Sequence, residues 1–150
     1  MGMRAHLTAL DEAEASAVMT WSNDQLYERL TRDDATRIDK SWEAVFPLIG
    51  ALAETGPFLA ERPVPVGDDL VYGPAMIIDA EQVQHIAARL AGIDDAAAGA
   101  ALGRLESPFM MSGLYDDQDG VDYALGGFRA TAELFADAAG TSSTILFAIL

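Results

Sequence analysis

The sequence predicts an α+β fold in which residues 1–150 form a single domain, with a strand at each end and about five or six helices between them. From Met3 to Leu10, apolar and polar residues alternate, which is typical of a strand with one face, including His6, in water. Thr144–Leu150 is almost entirely apolar, as in a buried strand. Because both segments are short and terminal, we expect them to pair in one small sheet packed with the helices, joined by the extended segment around Tyr72.

Two short helices are predicted next. Asp11 opens the first, because acidic residues in a first turn complement the helix dipole. The second runs from Ser22 to Leu30, with Ser22 or Asn23 as its N-cap. Its expected buried stripe consists of Leu26, Tyr27 and Leu30.

The strongest helical pattern follows, and it contains a proline. Apolar residues recur at helical spacing from Ile38 to Leu52, with Pro47 among them. Because proline removes a backbone hydrogen bond and clashes with the preceding turn, we expect a kink or a break at this position. The predicted stripe is Ile38, Trp42, Val45, Phe46, Ile49 and Leu52.

The middle of the chain is predicted to be mostly non-helical. Gly56–Gly67 is proline-rich and indicates a loop, and Leu70–Ile78 indicates an extended segment with a turn at Gly73-Pro74. Asp79 then caps a helix, with Gln82 three residues later as in a capping box.

Two helices complete the prediction: alanine-rich Asp94–Leu105, and a long helix over Val121–Ala139 that Gly140 ends. Gly126-Gly127 lies inside the long helix, where each glycine costs about 1 kcal/mol relative to alanine. A missing side chain lets another backbone approach closely. Internal packing and a partner helix are both consistent with this, and we favour packing.

Composition excludes several kinds of site and partner. The chain has no cysteine, which excludes disulfides, thiol nucleophiles and sulfur-ligated zinc, and suits a reducing cytosol. A net charge of −15 repels a phosphate backbone, so we expect no nucleic-acid partner. Met1–Thr20 does not have the pattern of a signal peptide, and the apolar run Ile145–Leu150 is far shorter than the ~20 residues that a membrane span needs. We therefore expect a cytoplasmic protein without a membrane partner, as a monomer or a homodimer.

The segment Asp39-Lys40-Ser41-Trp42 contains the only lysine in the chain. A lysine held by a carboxylate beside an indole is a candidate anion-binding site, with Trp42 as a stacking wall. In the alternative, Asp39 complements a helix N-terminus, Trp42 belongs to the core and Lys40 is a surface residue. Tyr72 is the fourth tentative ligand-binding residue, because a tyrosine at a tight turn projects its hydroxyl into a cleft; a simple turn explains the same residues.

The other groups of residues that could carry chemistry do not form a recognisable metal or catalytic site. Asp116–Asp122, around Gly120, lacks both the acidic first ligand and the glutamate at position twelve that a calcium loop needs. The two histidines, His6 and His85, are far apart in sequence, and Phe109–Met111 is either an exposed apolar patch or part of the core. No P-loop, dinucleotide fingerprint or nucleophile elbow occurs. We expect no catalytic residue, no metal and no cofactor.

A set of short motifs is spread over the whole chain. They are Met1-Gly2-Met3, Asp39-Lys40-x-Trp42, Tyr72-Gly73-Pro74-Ala75 before a helix with Glu81 and Val83, the late Tyr115, and an apolar strand after Gly140. In this order they resemble the YfbM-like family, small bacterial proteins classed as a domain of unknown function. The resemblance implies an α+β single domain and no known substrate. The family often has a histidine about four residues after the tryptophan, where this chain has Phe46.

The sequence thus predicts a non-enzymatic cytosolic binding protein, an acidic interaction module whose partner is a basic protein. An immunity- or antitoxin-like role fits such a module. A simpler explanation of the same net charge is that it keeps the protein soluble. The alternative function is a small-ligand binder or a small enzyme with a cleft at Lys40, Trp42 and Tyr72, in which Asp39 orients the lysine. A deep pocket at Lys40 would favour the alternative.

Overall fold

The computed structural model describes residues 2–56, 58–106 and 113–150. These residues contain six α-helices, five strands and a short 3-10 turn at Val18–Thr20. The helices are α1 (Glu12–Ala17), α2 (Asn23–Leu30), α3 (Trp42–Ala53), α4 (Ala80–Leu90), α5 (Asp95–Gly103) and α6 (Gln118–Gly140). The strands are β1 (Ala5–Leu10), β2 (Thr36–Ile38), β3 (Val64–Asp69), β4 (Pro74–Ile78) and β5 (Thr144–Ile149).

The strands form one antiparallel sheet in the order β2-β1-β5-β4-β3. The two terminal strands are neighbours at its centre, with Ala5 opposite Ile149 and Leu10 opposite Thr144. Arg4 and Leu150 exchange both backbone hydrogen bonds at 2.8 Å and extend this pairing beyond β1. The α+β prediction and the pairing of the chain ends are confirmed.

The sheet is covered on both faces. On one face, α3, α4 and α6 pack on the strands, and α5 packs on α3 and α6; together they form the main core, to which Leu7, Phe46, Ile86, Phe135 and Ile145 contribute. On the other face, α1 and α2 cover a smaller core that contains Leu10, Leu26, Leu30, Val66 and Leu146. The chain therefore has three layers, with the sheet in the middle.

This layering contradicts the prediction that one face of the first strand is in water. His6 is only 8% exposed and Thr8 only 3%, although both alternate with the apolar residues of β1. Their face is the one on which α1 and α2 pack. The polar side chains are thus buried under a second helical layer, which a period of two along one strand does not indicate.

The predicted third helix begins later than its apolar pattern. Ile38 belongs to the edge strand β2, and α3 starts at Trp42 after a turn in which Trp42 N donates to Asp39 O at 3.0 Å. Pro47 lies inside α3, yet the helix continues to Ala53, so no break occurs. Residues 43–50 are all buried, and this packing holds the helix where proline leaves one hydrogen bond unmade.

The predicted loop over Gly56–Gly67 is shorter than expected, because β3 already begins at Val64 and includes Pro65. Since β3 is the outermost strand next to β4, it has an edge without a strand partner, where a residue without an N–H is tolerated. The hairpin of β3 and β4 accounts for the extended segment that the sequence indicates.

The predicted helix starts are confirmed by their caps. Asp11 and Glu14 form a capping box, and so do Ser22 and Gln25. The Asp79 side chain accepts from Gln82 N at 2.8 Å. In the described ranges, no helix has both the length and the apolar content needed to cross a membrane.

Candidate functional site

A cavity of about 470 Å³ lies between the start of β1, the end of α2 and the turn that joins β3 to β4. We call it the tyrosine cavity, because two tyrosines line it. Its lining consists of Gly2, Arg4, His6, Tyr27, Thr31, Val71, Tyr72 and Leu150. Three parts of the chain that are distant in sequence therefore converge on one site.

The β3–β4 turn places two large side chains at this cavity. Leu70 N donates to Gly73 O at 2.9 Å, and Gly73 has φ +103°, a conformation that favours glycine. Val71 and Tyr72, between these two residues, are 54% and 56% exposed. The turn that the sequence predicts at Gly73 thus presents both side chains to solvent at the cavity.

Helix α2 contributes the second tyrosine. Leu26 and Leu30 are fully buried against the sheet, whereas Tyr27 is 49% exposed. The prediction that Tyr27 belongs to the buried stripe of this helix is therefore wrong. Because α2 covers the sheet with a narrow face, Tyr27 lies beside that face and lines the cavity.

His6 is the buried polar group of the cavity. Its Nδ1 lies 3.0 Å from the carbonyl oxygen of Leu30, the last residue of α2. A carbonyl only accepts, so Nδ1 carries the proton and donates. Burial lowers the pKa of His6 from its ordinary value of 6.5, and the positive charges of Arg37 and Arg4 lower it further against the effect of the hydrogen bond. The imidazole is neutral at pH 7.

The two arginines near His6 are both engaged. Arg4 Nε lies 2.9 Å from Asp39 Oδ1, in an ion pair whose two side chains are about 60% exposed. Arg37 lies opposite His6 in the β1–β2 ladder, and its Nη2 donates to the carbonyls of Thr31 and Arg32 at 2.9 and 3.2 Å. These carbonyls follow the C-terminal end of α2, where a cation is favoured. Both guanidinium groups therefore already have hydrogen-bonding partners, although their positive charge still acts on His6.

The four residues that the sequence singles out do not share this cavity. Tyr72 lines it, and Asp39 contacts it only through the ion pair with Arg4. Lys40 is exposed and Trp42 is partly buried against the main core, with its ring 5.9 Å from that of Phe46. Neither Lys40 nor Trp42 lines the tyrosine cavity. A cleft that joins Lys40, Trp42 and Tyr72 stays a prediction.

A second polar cluster lies in the main core. Tyr115 and Glu43 are each 8% exposed, and the Tyr115 hydroxyl lies 3.5 Å from Glu43 Oε1. Burial raises the pKa of Tyr115, and the negative charge of Glu43 raises it further. The tyrosine is therefore a protonated donor to the buried side chain of Glu43, in the first turn of α3.

Asp117, His85 and Gly127, which the sequence also singles out, have structural roles. Asp117 caps α6 by accepting from Gly120 N at 2.8 Å, and His85 Nε2 lies 3.2 Å from Ala53 O. Among the residues described, no group of three histidine, cysteine or acidic side chains is arranged to hold a metal ion. A Cβ on Gly127 would lie 2.9–3.1 Å from Ser41, Val45 and Ile38, which supports internal packing at this glycine. Phe109–Met111 lies outside the described residues.

Sequence reasoning missed His6, Tyr27 and Arg4 as members of one site. The alternation in β1 and the helical spacing in α2 each describe a single element, so neither pattern shows which residues of the two elements come together. No local pattern signalled the site, because Arg37 lies opposite His6 only through the β1–β2 pairing.

Comparison with known proteins identifies the family and the fold. A family model described as a domain of unknown function, DUF1877, matches residues 1–148. The fold is similar to the crystal structure of YfbM, a protein of unknown function from Escherichia coli, with a TM-score of 0.62 and 16% sequence identity. That match covers 98% of this chain and 99% of YfbM. No curated protein sequence matches the chain. With an α+β fold like that of YfbM, the chain belongs to the DUF1877 family of unknown function.

Proposed function

We propose that the chain is a cytosolic binding module and that the rim of the tyrosine cavity is its protein-binding surface. One observation carries the proposal: Tyr27, Val71 and Tyr72 line a single cavity while each is about half exposed. Large apolar side chains that gather at one surface are a common mark of an interaction site. Tyrosine and arginine are also enriched among the residues that dominate binding energy, and Arg4 lines the same cavity.

The charge of the surroundings supports a basic partner. Asn23 at the start of α2 bonds to the backbone of Asp68 and Asp69 at 3.3 Å, so these exposed acids lie next to α2. Asp24 is exposed on the first turn of α2, one helical turn before Tyr27. An aromatic rim flanked by acids, on a chain of net charge −15, complements a basic protein.

The biological form of this binding is a finer hypothesis. An immunity- or antitoxin-like role, in which a small acidic domain neutralises a basic protein, fits the charge. The absence of cysteine supports the cytosolic part of the proposal, because it suits a reducing compartment. The sequence contains no P-loop, dinucleotide fingerprint or nucleophile elbow, so binding is the simpler proposal.

The test begins with a crosslink. A photoreactive phenylalanine analogue replaces Val71 in one variant and Tyr123 in a matched control, since Tyr123 is 42% exposed on α6. We expect a specific adduct only from position 71 in cells of the native host. The adduct is then identified and its protein purified, so that affinity is measured with defined components.

Affinity variants decide between the two functions. Tyr72→Ala is expected to weaken binding at least tenfold, as truncation of a central interface tyrosine does, and Tyr123→Ala less than twofold. If Tyr72→Ala and Tyr27→Ala bind as tightly as the parent while Lys40→Ala abolishes binding, the proposal fails and the lysine cleft is favoured.

A further inference from the structure

The floor of the tyrosine cavity offers a hydrogen-bond acceptor. His6 lines the cavity, and its Nδ1 proton is committed to Leu30 O. Because the imidazole is neutral, the opposite nitrogen, Nε2, carries a lone pair and accepts. The tautomer follows from the chemistry of the carbonyl partner, since Leu30 O cannot donate.

Among the described residues, no partner occupies this acceptor. His6 makes one side-chain hydrogen bond there, through Nδ1. The one fully buried side-chain N or O atom without a partner in the described part of the chain is Thr55 Oγ1. Nε2 of His6 also has no partner among these residues but is not one of the fully buried atoms, so part of it is accessible to solvent. The residue as a whole is 8% exposed. The cavity is the space that His6 lines, so we take it as the path by which a ligand reaches Nε2.

The side chains that line the tyrosine cavity suit an apolar ligand group. Tyr27, Tyr72, Val71 and Leu150 are the large uncharged residues that line this volume of about 470 Å³. This space exceeds what one aromatic side chain occupies, and an aromatic ring stacks well against tyrosine. A group that enters would replace water on apolar surface and reach the imidazole with its tip.

Neither sign of charge is favoured on the occupant. Arg4 and Arg37 place positive potential at His6, which opposes a cation. The C-terminal end of α2 and the carboxylate of Asp39 oppose an anion. An uncharged group avoids both penalties, and a hydrogen-bond donor at its tip satisfies Nε2.

We infer that the tyrosine cavity receives an uncharged aromatic side chain of the partner that ends in a hydrogen-bond donor, of the phenol type found in tyrosine, and that Nε2 of His6 accepts its hydrogen bond. The inference rests on the proposed function, because it names the anchor by which the basic partner binds the rim. Tyr27 and Tyr72 hold the ring, and His6 selects the donor.

The test compares p-cresol with toluene, which has nearly the same shape but no donor. The full chain is titrated with each probe at pH 7.5, and binding is followed by amide chemical shifts of residues around the cavity. We expect a dissociation constant on the order of millimolar for p-cresol, and binding at least tenfold weaker for toluene. The ¹⁵N shift of His6 Nε2 should move with p-cresol and stay constant with toluene.

A matched variant isolates the acceptor. In His6→Asn, the side-chain amide keeps a donor for Leu30 O, while the position of Nε2 is lost. The preference for p-cresol over toluene should fall to about one, with toluene binding retained. Tyr72→Ala should weaken both probes, since it removes a wall. Both variants are first checked for a folded amide spectrum, and the ¹⁵N readout on the parent chain does not depend on either of them.

Three results would overturn the inference: equal binding of the two probes, no binding of either, or tighter binding of 4-methylbenzylamine or p-toluate than of p-cresol. These failures differ from failure of the proposed function. If the partner crosslinks at position 71 but the donor preference is missing, the surface stands and the anchor is wrong. If the preference holds but the partner contacts another face, the assignment of the anchor to the partner is overturned and the proposed function fails with it.

Discussion

The imidazole of His6 connects the sheet, α2 and the cavity at the scale of one residue. It lies opposite Arg37 across the β1–β2 ladder and opposite Ala148 across the β1–β5 ladder, and it bonds to the last residue of α2. A charged imidazole at this position would face Arg4 and Arg37 in a partly dry site. The fold therefore holds the ring in its neutral form.

This predicts a pH dependence of stability with a definite sign. Because the folded state lowers the pKa of His6 below its ordinary 6.5, the unfolded chain binds the proton more strongly. Stability is fully present above pH 6.5 and falls as the pH is lowered through 6.5 toward the folded value. The charged groups that act on the ring are Arg4 and Arg37, and the titratable side chains that line the same cavity are Tyr27 and Tyr72. Urea unfolding midpoints between pH 7.5 and 5.5 should decrease less in His6→Asn than in the parent chain. Equal slopes would contradict the assignment.

Arg29 is the most deeply buried charged residue in the described part of the chain. It is 6% exposed, and its guanidinium binds Glu14 at 2.7 Å, Asp34 at 3.2 Å and the carbonyl of Ala9 at 3.1 Å. The group thus ties α1, α2, β1 and the segment before β2 together. The side chains of Glu14 and Asp34 are 23% and 65% exposed, but Arg29 itself is buried, so its removal leaves the Glu14 carboxylate and the carbonyl of Ala9 without their donor.

We predict that Arg29→Met lowers the free energy of unfolding by about 3 kcal/mol. The matched control is Arg129→Met, because Arg129 makes an ion pair of 2.6 Å with Asp95 whose side chains are 58% and 55% exposed. Such exposed pairs contribute about 0–1 kcal/mol. Denaturant titration measures both variants. Losses of equal size would show that the Arg29 cluster does not stabilise the fold.

At the scale of the element, α6 shows how two neighbouring glycines have opposite roles. A Cβ on Gly126 would meet nothing within 4 Å. On Gly127 it would lie 2.9 Å from Ser41 Oγ, 3.0 Å from Val45 Cγ2 and 3.1 Å from Ile38 Cγ2. The helix thus approaches the β2–α3 segment closely at Gly127 but not at Gly126.

Alanine substitution at the two glycines is expected to change stability in opposite directions. Gly126→Ala should stabilise the fold by about 1 kcal/mol, because alanine is the better helix former. Gly127→Ala should destabilise it by about 1–3 kcal/mol, since the added methyl overpacks the contact with α3. Thermal melts in parallel give both values. A stabilising Gly127→Ala would mean that α6 does not pack this closely.

At the scale of the whole molecule, the net charge of −15 bears on the association that we propose. For the basic partner proposed above, this charge would speed the encounter by long-range attraction, which salt screens over a Debye length of ~8 Å at physiological ionic strength. Much of the steering therefore acts only at low salt.

For the identified partner, the association rate constant should fall several-fold between low and high salt, while the dissociation rate constant changes little. Asp68→Asn with Asp69→Asn should reduce the association rate more than Glu133→Gln with Asp137→Asn on α6, which removes the same charge from a different element. Lys40→Ala should change little, because its charge has the wrong sign for this surface. An association rate that is independent of salt, with binding lost in Lys40→Ala, would contradict the acidic surface.

What the sequence determined by itself was local. The caps at Asp11, Ser22 and Asp79 and the two terminal strands follow from side chains that act on their own or adjacent backbone, so they are readable from short patterns. The pairing of the two terminal strands was predicted because both segments are short, β-patterned and terminal.

Only the tertiary structure decided which polar residues are buried and which apolar ones remain in solvent. His6 is covered because α2 lies over β1, Tyr27 is exposed because α2 contacts the sheet with a narrow face, and Pro65 is tolerated because β3 has an open edge. Periodicity reports how an element alternates, but burial depends on what packs against it. The tyrosine cavity exists only where the start of β1, the end of α2 and the β3–β4 turn meet, and no local pattern encodes that meeting.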